Sequence, residues 1–345
     1  MIKLPGLIDP HVHLRTPGQT HKEDFLTGTC GALAGGFTFL IDMPNNKIPI
    51  TTQNLLDEKI QIAKKEIVSD IGFYFGSLGD NLDEFEKVYD KVFGLKLYLN
   101  QTTGGFIIDE KSLRRIYEAW NTDKPILVHA EEDVIDLVID VCEKTKKRTH
   151  ICHVSSREEL EKIIHAKKKD LPITCGVTPH HLFLSEKDVS RLGSYGKMKP
   201  PVYDGFSEFA FKNLEHIDLI ESDHAPHTKE EKDSENPPFG VPNLETTLSL
   251  LLTASEKGLI SVEDIKRLCH DSPAEIFGIK QDAEIEVDEN EDWTVDGSKL
   301  FTKVKWSPFE GRFLKGKVKK VFIRKELVFE NEKILVNPGF GKVVE

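Results

Sequence analysis

The stretch G-L-I-D-P-H-V-H-L-R, Gly6 to Arg15, sets two histidines, His11 and His13, two positions apart at the end of an apolar run. If the run is a strand, residues i and i+2 share one face and both imidazoles point the same way. Seven more short, β-branched runs follow: GFTFLID (36–42), DIGFYFG (70–76), VFGLKLYL (92–99), PILVHA (125–130), THICHV (149–154), PITCGVT (172–178) and IDLIESD (217–223). Segments with an apolar stripe and charges opposite, such as TTQNLLDEKIQIAKKEI and SSREELEKIIHAKKKD, lie between several of them and read as helices with solvated faces. Eight strands alternating with helices predict an α/β fold, a TIM (β/α)8 barrel. From about residue 284 the chain turns strand-like (AEIEVD, KGKVKKVFIRKELVF), which predicts a barrel over 1–283 and a small β appendage over 284–345, formed mainly by the C-terminal segment.

Composition narrows the function. The formal charge is −12, which repels nucleic acid and anionic membrane, so a small-molecule substrate is expected. Five scattered cysteines without CxxC pairs suggest neither a disulfide framework nor a structural zinc knuckle. No apolar run approaches the length of a membrane span, and the start lacks the order of a signal peptide, so a cytoplasmic location is expected.

An HxH pair alone is a weak signal, but a barrel collects its active site at the C-terminal ends of its strands. Four other runs end near a polar, metal-competent residue: Lys96 in GLKLYLN, His129 in ILVHA, His153 in HICHV and Asp223 in IESDHAPH. Packing does not explain five such ends on one rim. Four histidines and an aspartate are the donors of a two-metal hydrolytic site, and a neutral Lys96 amine that adds carbon dioxide becomes a carbamate able to bridge two ions.

These residues carry a resemblance. PGLIDPHVHLRTPGQTHKEDF, GGFTFLIDMPNN, GLKLYLNQT, HAEE, HICHVSS, VTPHHLFLS and SDHAPHTKEEK resemble, in order, the motifs of dihydroorotases in the amidohydrolase superfamily, most of all those of the dihydroorotase domain in the animal multifunctional pyrimidine-synthesis protein. The resemblance runs through WSPFEGRFLKGKV. It implies two zinc ions, one on His11, His13 and Asp223, the other on His129 and His153, bridged by carboxylated Lys96 and a hydroxide. Asp223 would also be the catalytic acid and base. Arg15, Asn45 and His227 would bind substrate, Thr102 would sit on a closing loop, and Phe239 and Gly240 would pass along the ring.

Some positions depart from the pattern. Lys199 and Tyr203 of KPPVY stand where many bacterial relatives carry asparagine and arginine, so Lys199 is expected to keep a cation without the guanidinium fork. Gly176 replaces a glutamate common in the animal domain. Strand alternation turns Cys152 away from His153, and His180 and His181 are expected to support the site rather than bind metal. The implied reaction is the reversible cyclisation of N-carbamoyl-L-aspartate to L-dihydroorotate. The alternatives are an allantoinase or hydantoinase-type cyclic amidase and a non-catalytic scaffold relative. Association with aspartate transcarbamoylase and a homo-oligomer are open partner readings.

Overall fold

A computed structural model describes residues 1–101 and 107–345. The first three barrel strands, Leu7–Val12, Phe37–Asp42 and Asp70–Phe73, pair in parallel in chain order. The third resumes after Tyr74 as Phe75–Gly76. From there the parallel order runs through Leu95–Tyr98, Ile126–His129, Thr149–Ile151, Ile173–Val177 and Leu219–Ile220. The ring closes just beyond the eighth strand, where the His13 N–H donates to the His224 carbonyl at 2.9 Å beside a parallel bridge between Val12 and His224. This is the expected TIM barrel.

Capping fixes where the outer helices begin. Thr52, Asp109 and Ser156 accept the N–H groups of Leu55, Ser112 and Glu159 at the starts of helices Gln53–Glu66, Glu110–Ala119 and Arg157–Lys167. Alternate strand residues turn inward: Ile8, Phe39, Ile41, Leu127 and Leu219 meet Ile276 and Phe277 of helix Ser272–Phe277 in one buried cluster. That helix lies at the N-terminal ends of the strands, where Arg148 donates to the Ile276 carbonyl at 2.7 Å. The axis is therefore packed with apolar side chains at the bottom, which leaves polar residues to gather at the opposite rim. Among the described residues no helix is long and apolar enough to cross a membrane.

Ala283–Thr294, Phe313–Ile323, Glu326–Glu330 and Lys333–Ile334 form an antiparallel sheet beside the barrel. Within the N-terminal stretch LPGLIDPHVH only Leu7–Val12 joins the barrel, whereas Ile2–Pro5 is an edge strand of this second sheet, with Ile2 opposite Val287 and Pro5 opposite Glu284. The run breaks at Gly6, whose N–H still goes to Ala283 while that of Leu7 goes to Gly36 in the barrel.

Candidate active site

One cavity at the C-terminal rim is lined by His11, His13, Arg15, Asn45, His129, His153, Lys199, Asp223, Phe239 and Gly240, together with Tyr98 and Ala225. Lys96 lies two residues below Tyr98 on the fourth strand, and His227 stands behind Arg15. Thr102 lies outside the described residues.

Three imidazoles follow one plan. His11 Nδ1 is tied to Glu221 at 2.8 Å, His13 Nδ1 to the Asn45 side-chain oxygen at 2.7 Å, and His129 Nε2 to Glu131 at 2.9 Å. In each ring the N–H donates to that oxygen, so the other nitrogen keeps its lone pair for the interior. His11 Nε2 and His13 Nε2 face Asp223 Oδ1 at 3.4 and 3.0 Å, and His129 Nδ1 faces His153 Nε2 at 3.0 Å. An oxygen that fixes the tautomer behind a histidine is the usual support of a metal ligand. The ligand atoms of His11, His13 and Asp223 all lie within 4.8 Å of one another.

Lys96 is 1% exposed, and its only hydrogen-bond partner among the described residues is Cys152 Sγ at 3.2 Å. A buried ammonium without a counter-carboxylate is costly. The position suits an uncharged amine or a carbamate, and with four imidazoles and Asp223 around it the donor set fits a pair of divalent ions.

The backbone is strained where it presents these groups. Arg15, His153 and Asp223 all have left-handed backbones, with φ of 61°, 41° and 45°. Such conformations in non-glycine residues cost about 1–3 kcal/mol each and persist where the surroundings impose them. Gly240, at φ 130°, could not be replaced without strain, because a Cβ there would meet the Ala225 carbonyl oxygen at 2.5 Å.

Sequence comparison matches residues 2–328 to the amidohydrolase family. The chain belongs to that family. It is 36% identical to a dihydroorotase of Pyrococcus horikoshii over 370 aligned residues, covering all of this chain and 85% of the relative. It is 40% identical to the multifunctional protein CAD of Squalus acanthias, matching with its whole length 16% of that much longer protein. Among solved structures, the L-hydantoinase (dihydropyrimidinase) of Arthrobacter aurescens superposes with a TM-score of 0.95 at 26% identity, covering 99% of this chain and 88% of the other.

In this amidohydrolase, burial by itself would raise the Asp223 carboxyl, but His11 and His13 outweigh it and hold the group well below the usual carboxylate range. Burial pushes His13 down to about 4. Behind Arg15, burial and the guanidinium lower His227 to about 3, so its ring is neutral and accepts from Arg15 Nη2 at 3.2 Å. Lys199 reaches Glu131 Oε2 at 3.2 Å, so one carboxylate holds both His129 and this lysine.

Two features of this amidohydrolase escaped the sequence reading. Glu221 is fully buried, orients His11 and accepts the His153 N–H. A Cβ on Gly176 would lie 2.4 Å from Glu221 Oε1, so the glycine makes room for a carboxylate supplied by the neighbouring strand. The available signal was the i, i+2 spacing of Glu221 and Asp223 in IESD. Cys152 packs fully buried in the apolar cluster below, as a small apolar side chain turned from His153 would, but its Sγ also lies 3.2 Å from Lys96 Nζ, a contact that alternation does not show.

Proposed function

We propose that this amidohydrolase is a zinc-dependent dihydroorotase, interconverting N-carbamoyl-L-aspartate and L-dihydroorotate. The observation that carries the reading is Arg15. Its guanidinium is buried on the cavity wall beside the histidines and Asp223, and among the described residues its hydrogen-bond partners are the Pro226 carbonyl and His227 rather than a carboxylate. A buried cation whose hydrogen bonds go to no carboxylate suits an anionic ligand, and a planar guanidinium suits a carboxylate. Dihydroorotate carries its carboxylate next to the ring amide that must open. The full-length similarity to an archaeal dihydroorotase supports the same choice.

His11, His13 and Asp223 would hold one zinc ion and His129 and His153 the other, with Lys96 as carbamate between them. Zinc bound there supplies a polarised carbonyl and a hydroxide near neutral pH. Asp223, a carboxylate at neutral pH, would take the proton of the attacking oxygen and pass it to the departing ring nitrogen. Arg15 holds the substrate carboxylate with His227 behind it. Lys199 and the Asn45 amide face the rest of the ring, which lies along Phe239 and Gly240.

The test is metal content together with dihydroorotate hydrolysis before and after chelation. About two zinc ions per chain with chelator-sensitive turnover are expected. Absence of both, after reloading with zinc and bicarbonate, would sink the reading and favour a scaffold. The structural likeness to a hydantoinase favours a second cyclic-amidase reading, and Arg15→Met separates the two. It should raise KM for dihydroorotate by about 10²-fold or more and leave an uncharged hydantoin nearly unaffected; equal effects would count against the carboxylate role. The dihydroorotase reading also places the enzyme in the cytoplasm and makes aspartate transcarbamoylase a partner to seek by co-elution.

A further inference from the structure

Tyr98 ends the fourth barrel strand two residues after Lys96, so both side chains enter the barrel from one face, with Tyr98 nearer the mouth. The Lys96 ammonium position lies 5.0 Å from the centroid of the Tyr98 ring, which also stacks at a tilt on His129 with 6.1 Å between centroids. The ring thus covers the lysine, and the side chain lines the cavity shared by Arg15, Asn45 and Asp223. The residue is 7% exposed, yet its hydroxyl has no hydrogen-bond partner among the described residues.

A buried hydroxyl left unpaired is destabilising, and phenylalanine would fill the same space without that cost. The comparison within the chain is Tyr74. Its hydroxyl is also unpaired among the described residues, but it belongs to the apolar cluster below the site. Tyr98, by contrast, lines the cavity where a ligand would sit. A tyrosine hydroxyl is protonated at neutral pH, so it is a hydrogen-bond donor and needs an acceptor.

We propose that Tyr98 is a further catalytic residue, whose hydroxyl donates a hydrogen bond to the carbonyl oxygen of the cyclic amide as that carbonyl is attacked. This rests on the cyclic-amidase reading above. As hydroxide adds to the carbonyl carbon, the C=O π electrons move onto the oxygen, and the Tyr98 O–H, already placed and desolvated, stabilises the charge that collects there. When the carbonyl re-forms, the ring C–N bond breaks and the nitrogen leaves with the proton carried by Asp223. Tyr98 keeps its own proton throughout.

The test is Tyr98→Phe in the zinc-loaded protein, assayed on dihydroorotate and on dihydrouracil, which lacks the carboxylate. Expected are a fall in kcat of about 10²-fold, KM within about threefold of wild type, unchanged zinc content, and a Tm equal to or above wild type because an unpaired hydroxyl has gone. A kcat within about threefold of wild type overturns the assignment, as does a fall in kcat matched by lost zinc or a lower Tm. If wild type opens only dihydrouracil, the dihydroorotase reading fails, and the ratio on that substrate still decides Tyr98. Wild type inert towards both rings sinks both.

Discussion

His11 holds its working nitrogen towards the cavity only because Glu221 holds the other one. Glu221→Gln keeps an acceptor for the Nδ1–H but removes the charge that raises the basicity of the ring. Zinc affinity measured by chelator competition should fall about 10- to 100-fold; unchanged affinity would mean that His11 needs no such support. Residues of this kind were hidden in the sequence for a physical reason. His11, His13, His129, His153 and Asp223 end apolar runs, so their chemistry stands out against the pattern around them. Glu221 acts through a partner 210 positions away, His11, and no local spacing announces that distance. Gly176 read as a missing carboxylate, whereas in three dimensions it is the space that Glu221 fills.

At the scale of elements, the loop after the second strand carries Asn45 to His13, and a buried ion pair secures its start. Lys59 of helix Gln53–Glu66 meets Asp42 Oδ2 at 2.7 Å and donates to the Met43 carbonyl and the Asn46 side-chain oxygen, both at 2.9 Å, while Asp42 accepts the Leu14 N–H. Both members are essentially inaccessible to solvent. Lys59→Met would leave Asp42 buried and uncompensated, so unfolding by denaturant should show a loss of about 3–5 kcal/mol. A loss below about 1 kcal/mol would mean that water reaches the pair. Strand positions were legible because a strand buried on both faces reads as an unbroken apolar run. Side-chain directions beyond the strand ends were not, because left-handed turns at Arg15, His153 and Asp223 redirect side chains just where alternation stops applying.

For the molecule as a whole, acid stability follows from histidines buried in neutral form. His181 donates to the Pro200 carbonyl at 3.0 Å, and burial takes it to about 4, while His227 lies at about 3. Unfolded histidine titrates near 6.5, so both folded values are depressed. Their contribution is complete above about 6.5 and is lost as pH falls towards 4 and below, because the unfolded chain then binds protons that the fold excludes. The Tm of metal-free protein should drop over that window, and His181→Gln should flatten the drop, its share being about 3 kcal/mol; an unchanged slope would show that another group is responsible. The barrel was legible from eight runs, but the second sheet's edge strand was not, because Ile2–Pro5 finds its partner 279 to 285 residues later. That separation also sets an order of events during synthesis. At a ribosome's pace of about 5–20 residues per second, the first strand emerges and then waits roughly 15–60 seconds for Ala283–Thr294 to appear. Until then it is an open edge that a second nascent chain could join. Its four residues, with Lys3 and Pro5 among them, offer such a chain little to extend.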